Sequence, residues 1–379
     1  MEAQGIRNFV PALTGIRGLA VLSVLIFHGN EARLPGGFLG VDVFFVLSGF
    51  LITTVLIKEH DTAGRISLRD FWMRRVLRLA PALVLMLCVV LALSFFLRSD
   101  SRAFRSDAFE VLLALFYLAN WARAFGFHPH DVLPHTWSLS VEEQFYLLWP
   151  LILIPLLKAP LPRRKLAALV LAGAILISLY RVALLAAGES IHRLSNGLDT
   201  RADGLLIGCS LALALSAAGV AGSNPRFHSV VLRSLLGPAA LAGLAILALI
   251  AEPVGRQTCG WQFLAVAILS AALLYDSVGP KSLLRPLLEN PFLVWVGSIS
   301  YGLYLWHLPI FVVFDYTENE PWKLAVGAPL TFAVASVSYY LIEQPALRLK
   351  SRFRGKPCPQ SLARRHATEA RRTLELPVR

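Results

Sequence analysis

Ten stretches of about twenty apolar residues each, recurring almost end to end, constrain this chain more than any other feature. A run of that length matches the hydrocarbon core of a bilayer. Inside lipid a backbone must satisfy its own hydrogen bonds, so each run is read as a helix. The spans fall at 11–29, 38–57, 79–97, 138–157, 166–187, 203–221, 230–251, 261–278, 291–314 and 323–343. Composition agrees: 56% of residues are hydrophobic and 16% charged, against roughly 25% charged in an ordinary globular chain. The fold class expected is an all-α polytopic membrane protein, with ten helices in one bundle. A further apolar stretch, 109–121, is too short to cross and reads as re-entrant or interfacial.

Basic residues test the count. With the N-terminus in the cytoplasm, Lys58, Arg65, Arg69, Arg74, Arg75 and Arg78 fall on the inner side. So do Lys158, Arg163, Arg164, Lys165, Arg226, Lys281, Arg285 and the arginines from Arg348 onward. The last outer loop instead carries Asp315, Glu318 and Glu320 with one Lys323. This is the positive-inside pattern, and it places both termini in the cytoplasm. If 109–121 crossed, every later span would flip and the bias would fail.

The net charge of +12 does not indicate nucleic acid. The charge lies in short loops and a tail suited to anionic lipid head groups, with no basic-aromatic surface. Cys88, Cys209, Cys259 and Cys358 have no metal-like spacing, so neither a disulfide framework nor a metal site is expected. The first apolar run contains Arg17 and lacks a small-residue cleavage site, so it reads as a retained anchor. No internal repeat is visible. The spans 166–187, 203–221 and 230–251, rich in Ala and Leu, read as lipid-facing packing helices. The chain divides into a membrane domain, 1–346, and a basic, disordered cytoplasmic tail, 347–379.

Within the spans, five constellations stand out. Arg17 and His28 bracket "GLAVLSVLIF". At about 100° per residue the two side chains return to within ~20° of one azimuth, ~16 Å apart. Ionisable groups inside a span usually face a cavity or a partner. In "PGGFLGVDVFFVLSGFLIT", Asp42 enters an apolar run near the level of His28, where it would tune an imidazole or accept from a helix start. In "FWMRRVLRLAP", Arg74, Arg75 and Arg78 share a helix face, and clustered guanidinium forks suit phosphate. In "HTWSLSVEEQFYLLWP", Ser140 and Glu143 read as a capping box, and Glu143 is also a carboxylate able to orient a base. In "GSISYGLYLWHLPIF", Gly297, Ser300, Tyr301, Tyr304 and His307 form one polar stripe facing the bundle interior.

Taken in order, the Arg-x10-His pair, "GGFLGVDVFFVLSGFLIT", "RRVLRLAP", "WSLSVEEQFY" and "SYGLYLWH" resemble the membrane acyltransferase-3 family of bacterial integral-membrane O-acyltransferases, over residues 9–346. The resemblance implies transfer of an acyl group, usually acetyl, from cytosolic acyl-CoA to a hydroxyl on an envelope or secreted carbohydrate. It implies a multi-pass protein of the bacterial inner membrane, with membrane lipids around it. By the same resemblance Arg17 and His28 match the essential pair, and Arg74, Arg75 and Arg78 match the arginine-rich loop tied to CoA. Some members carry a soluble esterase-like domain after the spans, and the short basic tail here gives no expectation of that second chemistry.

The catalytic candidates are therefore His28, Arg17, Asp42 and Glu143. His28 would act as general base, with Asp42 or Glu143 orienting its ring. Arg17 would bind negative charge on the donor or hold the bundle. A covalent acyl-histidine route is the alternative. Tyr301, Tyr304 and His307 are candidates for acceptor binding. Two other functions compete: acylation of a small metabolite such as a macrolide, and transport, which would move a substrate without consuming acyl-CoA. No pair of broken inverted helices favours transport.

Overall fold

The structure, a computed structural model, describes residues 11–97, 100–127, 132–218, 230–252, 254–279, 282–313 and 321–349. Every regular element among them is helical. In chain order these are α1 (Pro11–Gly29), α2 (Gly40–Ala63), α3 (Leu68–Leu97), α4 (Ser101–Leu115), α5 (Ala119–Ala124), α6 (Thr136–Lys158), α7 (Arg163–Ala186) and α8 (Ile191–Asn196). There follow α9 (Leu198–Ala217), α10 (Val230–Ile250), α11 (Phe263–Ser277), α12 (Arg285–Leu288), α13 (Pro291–Ser298), α14 (Ser300–Val313), α15 (Pro321–Ser338) and α16 (Gln344–Leu349). A π-turn, Thr258–Gln262, leads into α11, and another, Tyr339–Glu343, joins α15 to α16.

Eight segments among the described residues are long and apolar enough to cross a bilayer. The two remaining expected spans differ. The apolar part of α10, Leu235–Ile250, is shorter than the others. The expected span 291–314 is divided: α13 has 8 residues and α14 has 14, and the chain leaves helical geometry at Ile299. The stretch 109–121 is also broken. Helix α4 stops at Leu115, and Tyr117 takes φ 54°, a left-handed turn, before α5. Arg226, Lys281, Asp315, Glu318, Glu320 and the tail from Lys350 lie outside the described residues.

Local chemistry sets several ends. Gly64, at φ 71°, closes α2 by donating its N–H to the His60 carbonyl. Asp100, Ser190 and Asn290 cap the starts of α4, α8 and α13 with side-chain oxygens. The expected capping box at Ser140 is not formed. Helix α6 begins four residues earlier, at Thr136, and the Ser140 hydroxyl donates back to the Thr136 carbonyl at 3.0 Å. Thr136, Ser138 and Leu139 are buried, so packing rather than a polar cap sets the start of the helix.

Two apolar cores share α2. One gathers side chains of α1, α2, α3, α6 and α14, with Phe45, Phe71, Trp149 and Leu303 among its buried members. The other gathers α1, α2, α7, α9 and α11. Small residues let backbones meet at these seams. A Cβ on Gly49 would strike the Leu205 carbonyl of α9, and one on Gly208 would strike the Val46 carbonyl of α2. Helix α7 turns apolar side chains such as Leu176 and Leu179 outward, as a lipid-facing helix should. Helix α9 does not. It lies against α2 and α7 and buries Arg201 and Asp203, so the expectation of a lipid-facing 203–221 is corrected.

Candidate functional site

Helix α1 places Arg17 and His28 on one face, and α14 lies along that face. Arg17 Nη2 donates to Ser300 Oγ at 2.9 Å. Two turns further along α14, the His307 ring meets the His28 ring with centroids 5.0 Å apart. The break at Ile299 is what frees α14 to follow α1 in this way. On its other side α13 is pressed against α1, where a Cβ on Gly297 would strike the Thr14 carbonyl.

Around Arg17 the helices enclose a cavity of about 90 Å³. Helix α3 contributes Arg75 and Arg78, α6 contributes Ser138, Glu142 and Tyr146, α2 contributes Ser48, and α14 contributes Ser300, Tyr301 and Tyr304. Arg75 lies over the Tyr146 ring at 4.4 Å, a cation–π contact that fixes a long side chain. Ser48 Oγ donates to Glu142 Oε1 at 2.6 Å. Tyr301 donates to the Leu79 carbonyl at 2.8 Å, tying α14 to α3. Three guanidinium groups in one buried cavity can hold a phosphorylated or otherwise anionic ligand.

The polar stripe on α14 continues beyond the cavity. The Tyr304 hydroxyl donates to the His135 carbonyl at 3.0 Å and pairs with Ser138 Oγ at 2.6 Å. Beside it His28, His135 and His307 pack as a cluster, with the His135 and His307 centroids 5.3 Å apart. Each ring gives one N–H to a backbone carbonyl: His28 Nδ1 to Val24 at 3.0 Å, His307 Nδ1 to Tyr304 at 2.7 Å, and His135 Nε2 to Leu305 at 3.1 Å. In a neutral ring the other nitrogen is then an acceptor. Among the described residues no group of three or more His, Cys, Asp or Glu is placed to hold a metal ion.

Three expectations need correction. Asp42 does not serve His28. It accepts from Arg201 Nη2 at 2.6 Å in a buried pair, and Arg201 stacks on Phe263 at 3.3 Å. Alongside lies a second buried pair, Arg181 with Asp203 at 2.6 Å. Glu143 is not in the cavity wall, and Glu142 is. Ser138, Glu142 and Tyr146 recur every four residues on α6, so they share a face that Glu143, one step of about 100° away, leaves. Arg74 turns from the other two arginines and pairs with Glu59 at 2.8 Å.

Sequence reasoning passed over His135, Ser138, Glu142 and Ser48, all within quoted motifs. The four-residue repeat on α6 was the available signal for Ser138 and Glu142. It also passed over Glu343. The π-turn buries this carboxylate against α14, where a Cβ on Gly302 would lie 3.3 Å from its oxygen.

A family model described as an acyltransferase domain (Acyl_transf_3) matches residues 10–342. The chain is 34% identical over 351 residues to the peptidoglycan O-acetyltransferase OatA of Listeria monocytogenes, covering 89% of this chain and 56% of that protein. It is 34% identical over 349 residues to the O-acetyltransferase OatA of Staphylococcus aureus, covering 89% of this chain and 57% of that protein. The chain thus spans a little over half the length of the curated relatives it matches. No solved structure matches it at a significant level.

Proposed function

The chain belongs to this acyltransferase family, and from that premise we propose that it moves an acyl group, acetyl foremost, from cytosolic acyl-CoA to a hydroxyl of a cell-envelope carbohydrate such as peptidoglycan. The location that goes with this reading is the bacterial inner membrane, spanned ten times, with both termini in the cytoplasm. The observation that carries the reading is the pairing of α1 with α14: Arg17 opens into a cavity of guanidinium groups, and His28, on the same face, meets a cluster of imidazoles.

Arg17, Arg75 and Arg78 hold the phosphates of the donor, and its thioester arm extends along α14 toward Tyr304. His28 Nδ1–H donates a hydrogen bond to the Val24 carbonyl, so the neutral ring carries its basic lone pair on Nε2. The acceptor hydroxyl loses its proton to Nε2 as its oxygen attacks the thioester carbonyl. The carbon–sulfur bond then breaks, and the departing sulfur takes the proton back. The products are an ester and CoA thiol, with no net proton released. The Val24 carbonyl does the orienting that was expected of Asp42 or Glu143.

The test is purified protein in detergent with radiolabelled acetyl-CoA and a peptidoglycan fragment. His28→Ala should keep binding the donor while transfer falls by about 10²–10⁴. Normal turnover in that variant would overturn the catalytic assignment. Flux of a solute into sealed proteoliposomes, with no acetyl-CoA consumed, would move the assignment to a transporter.

A further inference from the structure

The mechanism uses one of the three clustered imidazoles and leaves two without a task. His135 is 3% exposed and His307 is fully buried. Each has given one N–H to a carbonyl of α14. Their remaining nitrogens, Nδ1 of His135 and Nε2 of His307, have no hydrogen-bond partner among the described residues. Buried polar atoms are nearly always paired, and an unpaired one calls for an explanation. Two of them on touching rings, beside the base, form a single feature.

The cluster lies next to residues that line the cavity. Ser138 and Tyr304 line the cavity, and the Tyr304 hydroxyl donates to the His135 backbone carbonyl. Tyr304 thus stands between the cavity and the imidazoles, its ring packed against both His135 and His307. Both unpaired atoms are acceptors, so what satisfies them must be a donor. A carboxylate or phosphate brings only lone pairs and would be repelled. A hydroxyl brings a proton. Two neighbouring hydroxyls of one polyol satisfy both rings while a third faces His28.

We infer that His135 and His307 form the acceptor subsite, holding a neutral polyhydroxyl compound through hydrogen bonds that the acceptor donates to His135 Nδ1 and His307 Nε2. This rests on the acyltransferase reading above, and it adds His135 as a binding residue and a selection rule for neutral hydroxyl donors. Asn keeps an acceptor oxygen at position 135, whereas Leu removes it.

The experiment measures steady-state acetyl transfer by the full chain in detergent, with a neutral N-acetylglucosamine disaccharide and with glycerol as acceptors. The proteins are wild type, His135→Leu, His135→Asn and His307→Asn. Thermal unfolding checks each for folding. His307→Asn, too short to place an acceptor where Nε2 stood, should likewise raise the acceptor KM by about tenfold. It carries the test if His135→Leu does not fold, an unchanged acceptor KM there overturning the subsite. The expected result is an acceptor KM raised by about tenfold or more in His135→Leu, with the KM for acetyl-CoA within about twofold of wild type. His135→Asn should recover most of the loss. A folded His135→Leu with unchanged acceptor KM, or with both KM values raised together, overturns the subsite. Wild type that consumes acetyl-CoA yet transfers to neither hydroxyl acceptor also overturns it. Wild type that consumes no acetyl-CoA overturns the acyltransferase reading itself.

Discussion

Arginines in this protein divide by their neighbours into those that hold the fold and those that face the cavity. Arg201 and Arg181 are buried with carboxylate partners, Asp42 and Asp203. Removing one member of such a pair strands the other, at a cost of about 3–5 kcal/mol. Arg201→Leu should therefore lower the thermal unfolding midpoint in detergent sharply, and the double variant Asp42→Leu/Arg201→Leu should recover much of the loss. Arg78 and Arg75 face the cavity, while Arg74 sits in a partly exposed pair with Glu59. Arg78→Ala should raise the KM for acyl-CoA by about tenfold or more, the weight of a lost charge-assisted contact. Arg74→Ala should leave that KM within about twofold of wild type. Equal effects at 74 and 78 would contradict the division. Spacing places three arginines on one helix face, but a face is broader than a contact. Glu59, fifteen residues back, decides which of them turns away.

At the scale of elements, a close seam joins α2 to α9. Gly49 and Gly208 each admit the other helix's backbone where a methyl group would strike a carbonyl. Gly49→Ala should cost about 1–3 kcal/mol by forcing the helices apart, seen as a lower unfolding midpoint. An unshifted midpoint would mean that the seam yields easily. Existence and order of the helices were legible in the sequence, because about twenty apolar residues have few other ways to fold. Their ends were less so: α6 starts before its polar cap, and the span 291–314 breaks in two. The break has no Pro or Gly at Ile299 to announce it. It follows from tertiary fit, since α13 lies on Thr14 while α14 has to reach Arg17. Asp42 was visible as an intramembrane charge, but its partner lies 159 residues away on a helix read as lipid-facing. Long-range pairing of that kind leaves no local periodicity.

Across the whole molecule, the site lies where α1, α2, α3, α6 and α14 meet, and α2 links it to the second core. The proposed orientation puts the segment around Arg65 inside and the turn at Arg33 outside, by the positive-inside pattern. Both residues are exposed. In intact cells, Arg33→Cys should react with an impermeant thiol reagent and Arg65→Cys should react only after lysis. The reverse result would invert the proposed topology and place the arginine cavity away from cytosolic CoA.

The break at Ile299 makes the helical phase of α14 a component of the site. Ser300, Tyr301, Tyr304 and His307 keep their places in the proposed site only while α14 keeps one rotational setting against α1. A single residue inserted after Ile299 would turn the whole stripe by about 100°, aiming the same side chains at other neighbours. Every named residue would survive and the composition would hardly change, yet the arginine end and the histidine end would both come apart. In this protein a one-codon insertion at that joint should be as disabling as the loss of His28.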